Sequence, residues 1–168
     1  MTKRSGKKTT VAEVDKELEA KIADSKVLVV DDNLQNLELL VEYLRSLKCP
    51  VVTATNGLQA LEKVQQEKPD LILLDIMMPR MSGFEVCRKL KSAPETRDIP
   101  IIMVTALKEL SDIERGVESG TDDFISKPVN RLELLTRVRS LLRVRHLKSD
   151  LERTLAYLND VESRGKED

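Results

Sequence analysis

Short apolar runs alternate with longer segments of helical periodicity through most of the chain. The runs are four residues long and rich in Val, Ile and Leu, which is typical of buried strands. They are Val27–Val30, Val51–Ala54, Leu71–Leu74, Ile101–Val104 and Asp123–Ser126. Strands that alternate with helices through short joints predict βαβ units. The predicted fold class is therefore α/β, with a five-stranded parallel sheet and helices on both of its faces.

The segments between the runs repeat apolar residues at every third or fourth position. After the first run, for example, Leu34, Leu37 and Val41 share one side of a helix. Pro, Gly and Asn separate such segments from the runs, as expected at the joints between elements. The segment Leu110–Val117 has the same period, but Gly116 lies inside it and weakens the prediction of a helix there.

Both ends of the chain extend beyond this alternation. Residues 1–9 are small and basic and have no apolar periodicity, which predicts disorder. Thr10 and Glu13 have the spacing of a capping box, which predicts that a short helix begins there. We therefore divide the chain into a disordered start with a short helix (1–25), one domain (26–146) and a C-terminal helical extension (147–168).

The last helical segment continues far beyond the fifth run. Its apolar residues recur at intervals of three and four, with an average near 3.5, which is the seam of a coiled coil. They are Leu134, Val138, Leu141, Val144, Leu147, Leu151, Leu155, Leu158 and Val161. Two alternatives stay open: the helix could fold back over the domain, or it could break at a second capping box, Ser149–Glu152.

Composition excludes several classes of function. The 168 residues carry a formal net charge of −1 and only 2% aromatic residues, so neither a basic field nor a stacking surface for nucleic acid is expected. No apolar run reaches the length of a membrane span, and no apolar segment follows the basic start, so we predict a cytoplasmic protein. Cys49 and Cys87 share no metal-ligand spacing with His146 and are interpreted as reduced thiols.

Polar residues follow each of the five runs directly, although the second run ends in Thr53–Thr55, which carries no charge. In an open parallel sheet, ligands bind beyond the carboxyl ends of the strands. Those ends carry Asp31 and Asp32 after the first run, Asp75 after the third, Thr105 after the fourth and Lys127 after the fifth. An isolated Asp pair is more often a turn or a helix cap. Because all these residues occur in order and each lies at a strand end, we predict that they form one site.

Three neighbouring carboxylates do not all stay ionised unless a cation lies between them. Carboxylate oxygens are hard ligands and no imidazole or thiolate lies near them in the pattern, so Mg²⁺ is the predicted ion. Mg²⁺ keeps positions open for phosphate oxygens, which indicates phosphoryl chemistry. Asp75, on a central strand, is then the expected nucleophile, with Lys127 and Thr105 available to stabilise a phosphoryl group.

At this level of detail the sequence resembles the receiver domains of two-component response regulators, particularly those that precede cyclic-dinucleotide synthesis or degradation domains. The resemblance extends from about Lys26 to about Val144. It is carried by the segments VLVVDDN (27–33), LILLDIMMPRMSGFEVCRKLK (71–91), PIIMVTALKE (100–109) and DDFISKPVN (122–130). The family implies a flavodoxin-like sheet with strand order 2-1-3-4-5.

The resemblance also implies a role for each acidic residue. Asp75 would accept the phosphoryl group from a histidine kinase or phosphotransfer protein, or from a small phosphodonor. Asp32, Asp75 and the backbone carbonyl of Met77 would bind Mg²⁺ directly, and Asp31 would act through a metal-bound water. Met77 and Leu107 would flank the approach of the water that hydrolyses the aspartyl phosphate.

Three further residues match the switch positions of the family. Thr105 and Phe124 would form the switch pair, in which the hydroxyl moves towards the phosphate and the ring follows inward. Lys127 would bind the phosphate, and its peptide bond to Pro128 would be cis. Output would then run through contacts with a protein partner. A homodimer through the C-terminal helix is possible, and neither nucleic acid nor a membrane is expected as a partner.

Three other functions compete with this interpretation. A phosphatase of the haloacid-dehalogenase type needs a second acid two residues after the nucleophile, where this chain has Met77. A nucleotide- or flavin-binding module needs a Gly- or Ser/Thr-rich loop after the first strand, where this chain has Asp31 and Asp32. A scaffold without phosphorylation would not need the acidic, hydroxyl and lysine positions that are all present.

Overall fold

The computed structural model describes residues 9–106 and 110–165, and the expected disorder of the first residues falls mostly outside that range. The elements follow the alternation of the sequence. In chain order they are α1 (Val11–Asp24), β1 (Val27–Val30), α2 (Leu34–Leu44) with a 3-10 turn at Arg45–Leu47, β2 (Val51–Ala54), α3 (Gly57–Glu67), β3 (Leu71–Asp75), α4 (Gly83–Ser92), β4 (Ile101–Thr105), α5 (Leu110–Ser119), β5 (Asp123–Ser126) and α6 (Arg131–Arg164).

The five strands form one parallel sheet in the order β2-β1-β3-β4-β5, which confirms the predicted order. Val30 pairs with Leu74 across β1 and β3, and Asp75 pairs with Val104 across β3 and β4. β1 and β3 are therefore central neighbours whose carboxyl ends lie side by side. This is the point where the strand order reverses, and ligands of open α/β sheets bind at such points.

Two apolar clusters cover the two faces of the sheet. Because side chains alternate along a strand, Val27 and Val29 face one cluster while Leu28 and Val30 face the other. The first cluster joins the sheet to α2, α6 and the end of α1, and the second joins it to α3 and α4. β1, β3 and β4 are buried along their whole length, which explains why these three strands read as unbroken apolar runs.

Local capping follows the sequence closely. The hydroxyl of Thr10 accepts a hydrogen bond from the backbone N–H of Glu13, whose carboxylate in turn accepts from the backbone N–H of Thr10, so α1 begins at the predicted capping box. Ser82 and Glu85 form the same arrangement at the start of α4, and Asn130 caps α6. The side chain of Asn33 caps α2 in the same way.

Two of the open alternatives for the C-terminal segment are wrong. α6 is one continuous helix of 34 residues, so it does not break at Ser149–Glu152. Its first half is buried on the sheet through Leu134, Val138 and Leu142. Its second half does not fold back over the domain. The apolar residues there are about half exposed: Leu147, Leu151, Leu155, Leu158 and Val161.

The second half of α6 leaves the domain at the edge opposite to the candidate site. α6 begins after β5 at the carboxyl ends of the strands and runs back towards their amino ends. There, Arg145 approaches Asp70, which directly precedes β3, with Nε 3.4 Å from Oδ1. His146 lies 2.7 Å from the hydroxyl of Ser25, which lies just before β1. Within the residues that the structure describes, no helix is long and apolar enough to cross a membrane.

Candidate functional site

Three acidic side chains meet where β1 and β3 end. Asp31 and Asp32 follow β1, Asp75 closes β3, and one carboxylate oxygen from each of them lies within 4.8 Å of the others. The parallel pairing of β1 with β3 is what brings residues so distant in sequence together. Asp31 is 1% exposed and Asp75 is 5% exposed, whereas Asp32 is open to solvent. The structure thus assembles the acidic cluster that the sequence predicted.

Lys127 neutralises part of this acidic charge. Its ammonium nitrogen lies 2.9 Å from Oδ2 of Asp31 and 3.6 Å from Oδ1 of Asp75. The peptide bond between Lys127 and Pro128 is cis, as the resemblance implied. The backbone N–H of Lys127 also donates to the carbonyl oxygen of Thr105 at 2.8 Å, which ties the end of β5 to the end of β4. The lysine is therefore held at the rim of the cluster by both its side chain and its backbone.

Neighbouring groups fix the Asp31 carboxylate more tightly than that of Asp75. Oδ1 of Asp31 accepts from the backbone N–H of Asn33 at 2.9 Å and from the amide of Asn36 at 3.4 Å. Oδ1 of Asp75 accepts only a long bond, 3.4 Å, from the backbone N–H of Met77 among the contacts of the described residues. Asp75 consequently keeps more freedom to bond an incoming group.

Burial raises the pKa of Asp75, and the charges around it modify that effect. The nearby ammonium of Lys127 lowers the pKa, whereas the negative charges of Asp31 and Asp32 raise it further. Desolvation and like charges both disfavour the ionised form. A divalent cation among the three carboxylates would remove that penalty. The donor set consists of hard oxygens alone, and it fits Mg²⁺.

The two remaining predicted residues lie beside the cluster. Thr105 is buried at the end of β4, next to the strand that carries Asp75. Phe124 pairs in register with Met103, two positions before the end of β5, so it is not part of the acidic cluster. Its ring instead packs against the apolar cluster on the face of α4 and against α5. Leu107, the other predicted flank of the water approach, falls outside the described residues.

Sequence reasoning missed the role of two glycines. A Cβ at Gly116 would overlap the ring of Phe124, so this glycine provides the space in α5 that the ring occupies. A Cβ at Gly83 would overlap the backbone carbonyl of Asp75, so only glycine lets α4 begin this close to β3. The sequence showed Gly116 as a weakness of a helix and Gly83 as a joint. The pairing of each with a distant residue appears only in three dimensions.

A groove of about 460 Å³ extends from Asp32 along the loop after β3. Its lining includes Met77, Phe84, Asp112 and Arg115. The guanidinium of Arg115 lies 4.5 Å from the centroid of the Phe84 ring, a cation–π contact that fixes one wall. The groove opens beside the exposed carboxylate of Asp32.

This fold and site define an α/β domain that carries, at its switch point, a lysine and an acidic cluster that could hold a metal ion. The model of the response regulator receiver domain matches residues 27–139. The chain therefore belongs to the response regulator receiver family. Phosphorylation of an aspartate is the general function of this domain, which makes the chain a signalling domain of the two-component type rather than a classical enzyme.

Similar proteins support the same assignment. The chain is 46% identical over 127 residues to the response regulator PleD of Caulobacter vibrioides, a match that covers 76% of this chain and 28% of PleD. It is 44% identical over 122 residues to the probable transcriptional regulator ycf27 of Cyanophora paradoxa, covering 73% of this chain and 50% of that protein. The chain thus spans half or less of these relatives.

A crystal structure of a putative response regulator from Chloroflexus aurantiacus superimposes with a TM-score of 0.68 at 32% identity. The match covers 71% of this chain and 98% of that one. A CheY-like receiver domain from Methanospirillum hungatei gives a TM-score of 0.70 at 28% identity and covers 74% and 98% of the two chains. These structures are almost fully matched, so the unmatched part of this chain is additional to the domain that they share.

Proposed function

We propose that Asp75 is the phosphoacceptor of this receiver domain and that the reaction depends on Mg²⁺. The observation that carries the proposal is the convergence of Asp75 with two further carboxylates and Lys127 at the switch point of the sheet. An Oδ atom of Asp75 would form the new bond to phosphorus while the bond to the donor breaks, and the donor would keep that electron pair. The donor would be a histidine kinase, a phosphotransfer protein or a small phosphodonor.

Each neighbour of Asp75 has a part in this proposal. Asp32, Asp75 and the carbonyl of Met77 would hold Mg²⁺, with Asp31 acting through a metal-bound water, and the ion when bound offsets negative charge on the phosphoryl oxygens. Lys127 would release part of its bond to Asp31 and pair with a phosphoryl oxygen.

Thr105 and Phe124 would transmit the change to the surface of the domain. The hydroxyl of Thr105 would donate to a phosphoryl oxygen, and the Phe124 ring would follow, with Gly116 as the space that accepts it. The domain would catalyse only its own phosphorylation and dephosphorylation. Position 77 supports this, because a phosphatase of the haloacid-dehalogenase type would need a proton donor there and this chain has Met77.

The acceptor assignment is tested by the mass of the intact chain after incubation with Mg²⁺ and acetyl phosphate. The wild-type chain should gain one phosphoryl group, and Asp75→Asn should gain none because the nucleophile is removed while the shape is kept. The matched control is Asp112→Asn, which removes a carboxylate from the rim of the same groove but not from the cluster. Equal modification of wild type and Asp75→Asn would contradict the assignment.

The metal assignment is tested with a chelator and with Asp32→Ala. Both should abolish the mass gain, and the variant should stay folded because Asp32 is exposed. Removal of one negative charge should leave the metal-free stability unchanged or higher, since it relieves repulsion of Asp75. An unfolded Asp32→Ala chain would show that this residue is structural and not a metal ligand.

We further propose that output runs through protein contacts and that the second half of α6 mediates self-association. The support is its stripe of half-exposed leucines, which no other described part of the chain covers. Light scattering should show a mass above that of the monomer, and the double variant Leu151→Asp/Leu158→Asp should be monomeric. A monomeric wild-type chain, with and without phosphorylation, would contradict this. We do not expect direct contact with nucleic acid or a membrane, given the net charge of −1.

A further inference from the structure

α1 and the second half of α6 both lie outside residues 27–139, the part of the chain that the receiver family shares. In the structure α1 packs on the middle of α6, where its second half begins. Three polar contacts hold α1 in place: Lys21 Nζ to Asp150 Oδ2 at 2.7 Å, Arg143 Nη2 to Glu19 Oε1 at 2.6 Å and Ser25 Oγ to His146 Nε2 at 2.7 Å. α1 is thus fixed at the point where α6 leaves the domain.

The apolar side of α1 is only half used by the domain. Leu18 and Ile22 are buried, and Ile22 joins the core cluster under α6. One and two turns earlier, Val14 is 44% exposed and Val11 is 80% exposed, although both continue the same side of the helix. Contacts with the domain therefore account for the apolar residues in the second half of α1, but not for Val11 and Val14 in its first half.

Val14 and Leu147 face a common space. Together with Leu18, they line an open cleft of about 50 Å³ between α1 and α6. Leu147 is still 51% exposed despite the neighbouring helix. Val14 and Leu147 thus place apolar surface on both sides of this cleft, whose remaining lining residues are Glu17, Lys21 and Asp150.

The spacing of the stripe indicates what covers it. Val144, Leu147, Leu151, Leu158 and Val161 fall on the a and d positions of one heptad register, with Thr154 at the remaining d position. A period of 3.5 matches another helix with the same period, and a two-fold pair of identical helices satisfies this with no further partner. The polar contacts of α1 lie at Arg143, His146 and Asp150, on one flank of the stripe only. The a positions and the opposite flank stay open to a second copy.

We propose that α1 is part of the interface between two copies of this chain, with Val11 and Val14 packing beside Leu147 and Leu151. Each copy then contributes two helices to the interface, α1 and the second half of α6, and not α6 alone. The interface lies at the end of each receiver opposite to Asp75. This inference rests on the proposed self-association through α6 and adds a second helix to it. It also accounts for the ion pairs that fix α1, because a mobile helix would contribute little to an interface.

The dimer dissociation constant tests this inference in the full chain. We expect Val14→Asp and Val11→Asp each to raise it by about tenfold or more, because each places a charge in an apolar contact. The matched control is Ala12→Asp, which adds the same charge to the same turn but about 100° around α1 from Val11, away from its apolar side, and its constant should stay within about threefold of wild type. Val11 touches little of its own domain, so Val11→Asp separates a loss of association from a loss of folding.

The possible failures are distinguishable. If Leu151→Asp/Leu158→Asp is monomeric while Val11→Asp and Val14→Asp associate as tightly as Ala12→Asp, the α6 seam stands and the role of α1 is overturned. If the wild-type chain itself is monomeric at every concentration, the proposed self-association fails and the role of α1 falls with it. Weaker association of both α1 variants, with normal thermal unfolding of the diluted proteins, supports the composite interface.

Discussion

The two halves of α6 carry the same kind of apolar residue in different surroundings. Leu134, Val138 and Leu142 are completely buried against the sheet, whereas Leu151 and Leu158 are about half exposed. The first half is stabilised by the receiver, and an isolated helix as short as the second half is marginal in water. The comparison shows that one continuous helix serves two purposes: it completes the receiver core, and it presents an apolar face beyond it.

The same helix connects opposite edges of the domain. It begins at Arg131, four residues after the lysine of the acidic cluster, and passes the amino ends of the strands near His146. Its 34 residues span about 50 Å at 1.5 Å per residue. A change at the site therefore has a rigid element through which to reach the distant face. Each of the following experiments tests one side of this contrast.

The largest expected effect is the difference in the free energy of unfolding between a variant in the first half of α6 and a variant in its second half. Leu142→Ala should lower the free energy of unfolding by about 2–5 kcal/mol, because it leaves a cavity in the core. Leu158→Ala should change it by less than about 0.5 kcal/mol in dilute, monomeric protein, because the side chain is already half exposed. Urea unfolding monitored by circular dichroism measures both. Similar losses in the two variants would show that the second half also packs on the domain.

The next effect concerns the packing around the switch residue in the receiver body. Gly116→Ala should destabilise the chain by about 1–3 kcal/mol, because the new methyl group overlaps the Phe124 ring and overpacks the site. Combining it with Phe124→Leu should recover most of that loss, since the smaller side chain frees the space. A double-mutant cycle measures this coupling. A coupling free energy near zero would mean that the ring does not depend on Gly116.

A smaller effect follows from the raised pKa of Asp75. A carboxyl group whose folded-state pKa lies above its unfolded value costs stability as pH rises through the interval between the two values. Without metal at neutral pH, Asp75→Asn should therefore raise Tm, because the asparagine carries no charge that burial disfavours. The gain should vanish below about pH 4, where the aspartate is protonated. Scanning calorimetry against pH checks this, with Asp112→Asn as the control. A lower Tm for Asp75→Asn would show that its ion pair with Lys127 outweighs burial.

The smallest expected effect is that of phosphorylation on self-association through the second half of α6. Phosphorylation should shift the dimer dissociation constant by less than about tenfold, because a ligand biases an equilibrium only by its differential affinity for the two states. Light scattering of the phosphorylated and unphosphorylated chain measures the shift, and truncation after Arg145 should abolish it. Indifference of the mass to both changes would mean that the second half of α6 is a linker or a simple cover.

The sequence predicted β1, β3 and β4 well because each is a short apolar run followed or ended by a polar residue. It also located Asp31, Asp75 and Lys127, since strand ends in a parallel sheet share an edge. β3 and β4 are each one residue longer than the predicted apolar runs. The polar residue that follows each run, Asp75 or Thr105, still pairs in the sheet. Periodicity alone does not distinguish a strand-terminal polar residue from the start of a loop.

The relations that the sequence missed are contacts between distant residues. Nothing local in the pattern pairs Gly116 with Phe124 or Gly83 with Asp75, because a glycine has no side chain whose character would indicate a distant partner. The packing of α1 on α6 was also not predicted, since Lys21 and Asp150 lie 129 positions apart. The apolar stripe of α6 is apparent in the sequence. Only the structure shows that its residues change from buried to exposed where the helix passes the amino ends of β1 and β3.

The central claim is that Asp75 carries the phosphoryl group, and direct location of that group tests it best. After phosphorylation, borohydride reduces an aspartyl phosphate to homoserine, and peptide mass spectrometry then identifies the altered position. We predict homoserine at residue 75, and only when Mg²⁺ was present during phosphorylation. Homoserine at Asp31, Asp32 or any other aspartate, with residue 75 unaltered, would contradict the account.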